Sequence, residues 1–136
     1  MNNAMFCFQC EQTAGGKGCT RGGVCGKKAD TAKLQDRLIG ELAALADAPS
    51  LKRTPELDTL VMDGLFTTLT NVNFDNSAIQ LTLDAAQHAR EQAGAPAAFN
   101  METLWDAPED IRSLKSLLLF GMKGIAAYAC HARILG

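Results

Sequence analysis

The chain has 136 residues, enough for one domain around a single modest core. With 47% hydrophobic residues, 21% charged residues and a formal net charge of −2, it has the balance of a soluble globular protein. That balance gives no electrostatic basis for a nucleic-acid or acidic-membrane partner, and neither is expected.

The opening residues, Met1-Asn2-Asn3-Ala4-Met5-Phe6-Cys7, have no basic region followed by an apolar one, so no signal peptide is expected. The longest apolar run, residues 117–130, is too short to span a bilayer and contains Lys123. A cytoplasmic location follows as the default. A reducing compartment and an odd count of five cysteines both argue against structural disulfides.

Two regions differ in grammar, and a division into residues 1–29 and 30–136 is expected. Residues 6–29 hold Cys7, Cys10, Cys19 and Cys25 together with Gly15, Gly16, Gly18, Gly22, Gly23 and Gly26, and show no helical or strand period. Such a segment buries too little apolar surface to order itself, so a metal site is expected to pin it. The second region reads as a bundle of about four helices, giving an all-α fold.

The first helix is expected from an Asp30 cap to about Leu45, with Leu34, Leu38, Leu42 and Leu45 on one face. Ala48-Pro49-Ser50 breaks it. Thr54-Pro55-Glu56 starts a second helix, with a capping residue, proline in the first turn and an acid at the positive end. Leu57, Leu60, Val61 and Leu65 follow at helical spacing. The run from Asn71 to Asp75 reads as a turn, with Asp75 or Asn76 capping a third helix that carries Ala78, Leu81, Ala85 and Ala89 and ends at Gly94. Residues 95–107 read as a connector pinned by Phe99 and Trp105.

The last helix opens near Pro108-Glu109-Asp110 and runs to Leu135. Between residues 117 and 130 it is apolar nearly all round, and Gly121 and Gly124 permit close helix contacts. A helix of that kind is normally buried on every side. Three other helices are too few to cover it, so further protein is expected around it; a tight four-helix packing is the alternative. Leu34, Leu38, Leu42, Leu45 and Ala46 also recur eighty positions later as Leu114, Leu118, Met122, Ile125 and Ala126, a weak internal repeat.

The cysteines are spaced Cys7-x2-Cys10-x8-Cys19-x5-Cys25. A C-x-x-C pair presents two thiolates to one centre from a single turn, and two more on a glycine-rich loop complete four. Four thiolates suit an iron–sulfur cluster, and nearby glycines let backbone N–H groups approach its sulfurs. Structural zinc is the main rival, although zinc sites more often use two such pairs. A redox-active C-x-x-C lacks a βαβ frame here. Lys17, Arg21, Lys27 and Lys28 could offset cluster charge or dock an acidic donor; a solvated basic surface reads equally well.

The run Met5-Phe6-Cys7-Phe8-Gln9-Cys10-Glu11-Gln12-Thr13, followed by Gly18-Cys19-Thr20 and Cys25-Gly26-Lys27, resembles the start of the hybrid-cluster (prismane) proteins, also described as hydroxylamine reductases. Leu34-Gln35-Asp36, the run from Gly64 to Asn71, the run from Asp110 to Lys115 and the run from Gly124 to Ala129 resemble the same family, in the same order. The resemblance implies that Cys7, Cys10, Cys19 and Cys25 ligate an N-terminal [4Fe–4S] cluster, longer gaps between the second and third cysteines going with [2Fe–2S]. It also implies an all-α N-terminal domain built from two helical bundles, and a parent oxidoreductase acting on hydroxylamine or nitric oxide.

The departures are as informative. Family members are several times longer, and the His, Glu and Cys ligands of their second, hybrid cluster have no counterpart here. His88 and His131 read as surface or packing residues, and Cys130 as a buried small hydrophobe. The connector at 95–107 is shorter than is usual in the family. The chain is therefore expected to be an N-terminal fragment or truncated relative, taking electrons from a donor protein and inactive as an enzyme alone. Two alternatives stay open: a stand-alone electron-transfer module, and a zinc-stabilised or metal-free helical assembly domain.

Overall fold

The computed structural model describes residues 4–10, 13–49 and 51–136. Met1 to Asn3 of the leader reading, Glu11 and Gln12 of the cysteine motif and Ser50 of the helix break lie outside the described residues. Five α-helices follow a cysteine-rich loop: α1 (Ala29–Ala46), α2 (Pro55–Thr67), α3 (Asn76–Gln92), the single turn α4 (Glu102–Trp105) and α5 (Glu109–Leu135). Among the described residues there is no sheet, only an isolated antiparallel bridge between Cys7 and Cys19. The all-α bundle behind a cysteine-rich loop stands.

Three helix ends follow directly from local chemistry. The Thr54 hydroxyl accepts the Leu57 N–H, with Pro55 in the first turn where its missing N–H costs nothing. Asp75 accepts the N–H groups of Ser77 and Ala78 and so caps α3. At the other end of α3, Gly94 takes a positive φ of 62°. Its N–H reaches the Glu91 carbonyl and the Ala95 N–H reaches that of Arg90, the paired bonds of a Schellman stop. Asp30 corrects the expectation. It lies inside the first turn of α1, and the cap position belongs to Lys28. Its carboxylate instead accepts from Asn76 Nδ2 at 3.0 Å, while Asn76 Oδ1 accepts from the Thr31 hydroxyl at 2.7 Å, tying the starts of α1 and α3 together.

Helix α1 is the hub. Its Leu38 and Leu42 meet Ile79, Leu83 and Ala86 of α3, with Leu34, Val61 and Leu65 at the margin. Ile39 meets Met101 and Leu104 in the connector, and Ala32 meets Met5 and Cys19 in the loop. The buried face of α3 is therefore Ile79, Leu83 and Ala86; Leu81 is 73% exposed and Ala85 is exposed. This corrects the expected stripe through Ala78, Leu81, Ala85 and Ala89: several helical registers of this alanine-rich segment carry apolar residues, and packing selects among them.

Of the two aromatic residues expected to pin the connector, Trp105 does so, packed against the Ile39, Met101 and Leu104 cluster, and Phe99 does so through its backbone. Phe99 is 44% exposed, but its N–H donates to the Gly40 carbonyl at 3.0 Å, and Met101 and Leu104 are buried. Arg90 of α3 pairs with the mostly buried Glu41 of α1 and donates to the Pro96 carbonyl, binding both helices to the connector's start.

Helix α5 packs chiefly on α2. Arg133 pairs with Asp63 at 2.7 Å, and His131 meets Phe66 edge-on. Its other side is open: Leu114, Leu117, Leu118, Ile125 and Tyr128 are each at least 66% exposed. The tight four-helix packing is not found. Among the repeat-related positions, Leu38, Leu42 and Leu45 are buried in α1, whereas Leu114, Leu118 and Ile125 are exposed in α5. Cβ atoms at Gly121 and Gly124 would meet nothing within 4 Å. Apolar exposure on this scale marks a surface made to be covered.

Candidate metal centre

All five cysteines are free thiols. Cys7 and Cys19 lie side by side because their backbones pair, N–H to carbonyl in both directions at 3.0 and 2.9 Å. The hairpin that allows this turns through Thr13, whose N–H donates to the Cys10 carbonyl and whose hydroxyl donates to the Cys7 carbonyl. Gly18, at φ 128°, is required where it stands: a Cβ there would fall 2.5 Å from the Phe6 ring. Cys25 sits one turn before α1, and a Cβ on Gly23 would crowd its sulfur at 3.0 Å. Cys10 faces a cavity between the loop and α5.

Two of the sulfurs, those of Cys19 and Cys7, are met by donors. Cys19 Sγ accepts the Ala14 N–H at 3.4 Å and lies 3.7 Å from the Thr13 hydroxyl. Burial works against its thiolate, but the Val24 and Ala14 N–H groups, Thr13 and the Lys27 charge outweigh it and hold the thiol below its ordinary 9.0. Lys27 Nζ approaches Cys7 Sγ at 3.9 Å. Burial still raises the Cys7 thiol, with Lys27 and the Gln9 N–H acting in opposition. The first turn of α1 packs on the same pair through Ala29 and Ala32, which brings the positive end of its dipole to the thiols.

This corrects part of the charge reading. Lys27 is buried, at 3% exposure, and serves Cys7; only Lys17, Arg21 and Lys28 form the solvated basic surface. It also corrects the expectation that metal alone must pin the segment. Phe6 and Phe8 project from one side of the extended strand, and the Arg112 guanidinium of α5 lies over both rings at 5.5 and 5.6 Å. Trp105 stacks obliquely on Phe6 at 5.4 Å. On the opposite side, the Gln9 amide lies between the buried Lys123 of α5 and the Thr68 carbonyl; with its oxygen assigned toward Lys123 it accepts from Nζ at 2.9 Å and donates to Thr68 at 3.2 Å.

Neither Arg112 nor Lys123 was singled out from sequence as a partner of the loop. The only available signal for Lys123 was a charge inside an apolar helix.

Burial lowers Lys123 from 10.5 to about 7 against the attraction of Asp36 and Cys7, and Lys27 lowers it further. Burial raises Asp36 from 3.8 to about 6, against the pull of Lys123, Lys27 and Trp105. The folded chain thus keeps a proton on Asp36 that the unfolded chain has released, and stability falls as pH rises from 3.8 through about 6. On Lys123 the unfolded chain holds the extra proton, so stability rises with pH above about 7. Urea midpoints of the metal-free chain measured from pH 4 to 9 are expected to pass through a minimum between these two values. Lys123→Met is expected to flatten the alkaline limb; an unchanged limb would show that the lysine does not titrate in this window.

Of the remaining residues, His88 is exposed and shares a hydrogen bond with Gln92, and His131 is exposed beside Phe66. Cys130 is 2% exposed, and its thiol donates to Asp63 at 3.1 Å. Burial and the Asp63 carboxylate push that thiol up to about 11, so it remains a neutral packing group. Among the described residues, no three His, Cys, Asp or Glu side chains converge as a single metal ion's ligands would. No helix there is long and apolar enough to cross a membrane.

The sequence profile of the Prismane/CO dehydrogenase family matches residues 5–136, nearly the whole chain. The chain belongs to that family. Hydroxylamine reductases are among its similar relatives. The protein of that name from Desulfovibrio desulfuricans is 39% identical over 165 aligned positions, which take in 100% of this chain and 30% of the relative. That from Methanocella arvoryzae is 42% identical over 97% of this chain and 31% of its own length, and that from Solidesulfovibrio magneticus 43% identical over 97% and 30%. The chain therefore spans about a third of the length of these relatives. The 165 aligned positions also exceed the chain's 136 residues, so the Desulfovibrio protein carries extra residues within the matched span.

The prismane family implies iron–sulfur chemistry, and the donor set here fits it. The segment offers four cysteine thiols of the soft kind such clusters take, an N–H group aimed at Cys19 and a lysine at Cys7, and a glycine at Gly23 where a Cβ would press on Cys25.

Proposed function

We propose that this chain is the N-terminal iron–sulfur electron-transfer region of a hydroxylamine reductase-like hybrid-cluster protein. Cys7, Cys10, Cys19 and Cys25 are the ligands, residues 1–29 are the cluster-binding segment, and residues 30–136 are the helical support. The observation that carries the reading is the Cys7–Cys19 pair, locked by its own backbone and faced by the N–H groups of Ala14 and Val24, Thr13 and Lys27.

When bound, a [4Fe–4S] cluster supplies reversible one-electron storage. The chain's own contribution is to set the cost of that storage. Lys27 and the N–H groups favour the extra negative charge of the reduced state, and the α1 dipole acts in the same sense. Arg112, Trp105, Gln9 and Lys123 hold the Cys7 strand on the bundle, so the ligand positions need not be rebuilt with each electron. The parent reaction is reduction of hydroxylamine at a second cluster whose ligands this chain lacks.

Anaerobic purification with iron, sulfide and zinc analysis tests the reading. About four irons and four sulfides per chain, with an EPR signal on reduction, are expected. One zinc without sulfide would replace it with a zinc-stabilised helical domain. The loaded chain is expected to show no hydroxylamine turnover; measurable ammonia production would overturn the assignment of this region to electron relay alone.

A further inference from the structure

The cysteine-rich loop carries more positive charge than its thiols use. Residues 13–29 hold Lys17, Arg21, Lys27 and Lys28 and no Asp or Glu, in a chain whose formal net charge is −2. Lys27 is buried against Cys7. Lys17, Arg21 and Lys28 are exposed, and among the described residues none of them has an ion-pair partner, whereas Arg53, Arg90 and Arg133 each hold a carboxylate. Asp30, the next acid along the chain, is committed to Asn76 and to the Thr31 N–H. Charges standing in solvent do little for a site they do not touch.

Arg21 and Lys28 flank the two stems of one tight turn. The Gly23 N–H donates to the Lys27 carbonyl at 2.8 Å and the Gly26 N–H to the Gly23 carbonyl at 2.9 Å, which leaves Val24 and Cys25 at the tip. Val24 is 60% exposed, an apolar side chain without cover. Its backbone N–H meets the Cys19 sulfur, and its carbonyl carbon is bonded to Cys25. The exposed tip therefore touches one proposed ligand and adjoins another. Gly22, Gly23 and Gly26 put no side chain between this turn and an approaching surface. An apolar tip between two unpaired cations suits the small, polar-rimmed contacts of transient electron-transfer encounters.

We propose that the turn of residues 21–28 docks an acidic one-electron carrier protein, with Arg21 and Lys28 steering it and Val24 making the apolar contact. The inference rests on the electron-transfer reading of the cysteine site. One electron leaves the reduced carrier, which is oxidised, and reduces the cluster; no bond forms or breaks. Complementary charge acts chiefly on the encounter, so the effect is largest at low salt and fades as salt screens it.

The probe is a plant-type [2Fe–2S] ferredoxin, a small acidic protein. Full chains purified anaerobically are compared: wild type, the double variant Arg21→Glu with Lys28→Glu, and Lys52→Glu. Lys52 is an exposed cation past the far end of α1, whose 18 residues span about 27 Å. Each chain is assayed for iron and sulfide, for binding of oxidised ferredoxin by titration calorimetry at low and high salt, and for its rate of reduction by reduced ferredoxin and by methyl viologen radical. The double variant is expected to keep its iron, to bind ferredoxin at least about tenfold more weakly at low salt, and to be reduced by it correspondingly more slowly. Its reduction by methyl viologen is expected to be no slower, and Lys52→Glu is expected to match wild type throughout. Wild type without iron and sulfide would overturn the electron-transfer reading and this inference with it. A loaded wild type that ferredoxin does not bind, or binds as well after the double charge reversal, would overturn the docking turn alone. Equal weakening in Lys52→Glu would assign the effect to net charge and overturn it too.

Discussion

Gly40→Ala is expected to destabilise the bundle by about 3 kcal/mol or more, read as a fall in the urea midpoint. A Cβ at this position would overlap the Phe99 carbonyl oxygen, and the Phe99 N–H donates to the Gly40 carbonyl at 3.0 Å. Both partners are backbone, so no rotamer change relieves the clash. The connector must lift, which exposes Met101 and Leu104 and loosens their contact with Ile39.

Two controls separate this from the ordinary effect of adding a methyl group to a helix. At Gly64 the nearest atom is Leu42 Cδ1 at 2.9 Å, the end of a flexible side chain that can move, so Gly64→Ala is expected to cost about 1 kcal/mol. At Gly121 nothing lies within 4 Å, and Gly121→Ala is expected to stabilise by roughly 0.5–1 kcal/mol through helix propensity. If all three substitutions gave the same change, close backbone packing at Gly40 would be excluded as the cause.

The contrast also shows why some of this molecule is legible in its sequence and some is not. Thr54, Asp75 and Gly94 act within a few residues of themselves, so their roles as caps and stop follow from local spacing. Gly40 acts on a residue 59 positions away in sequence, and nothing in the run Leu38 to Leu42 signals that contact. The face of α3 fails for a related reason. Ile79, Leu83 and Ala86 are chosen by Leu38 and Leu42 of α1, not by periodicity within a segment where alanine occupies several registers.

The same division runs through the candidate site. The four cysteines and their glycines stand out as a pattern. Lys27 was visible as a charge, but its burial against Cys7 was not. Arg112 and Lys123 lie more than a hundred positions from Cys7 and reach the loop only because α5 packs beside it. The unpaired side of α5 was legible because it follows from composition: too few other helices exist to cover an apolar cylinder.

Cys19→Ala is expected to abolish iron binding, taking a loaded chain of about four irons to near none. The loss is not expected to come from unfolding of the loop. Cys19 is fixed by its backbone bonds to Cys7, which alanine retains, and alanine keeps the Cβ that packs near Met5 and Ala32 while giving up only the space of one sulfur. Helical circular dichroism is therefore expected to be unchanged while iron, sulfide and visible absorption disappear together.

Lys27→Met should fall between ligand and bystander. It keeps the buried stem and removes the charge 3.9 Å from Cys7 Sγ, and such partners of a ligand typically change metal affinity by about 10–100-fold. Cys130→Ala supplies the other limit. That thiol donates to Asp63 on the α2 side of α5 and is held neutral, so its loss should leave the iron content intact. Equal iron loss in Cys19→Ala and Cys130→Ala would point to general instability. Graded loss, from Cys19 through Lys27 to Cys130, would place the chemistry in the loop and make the bundle its support.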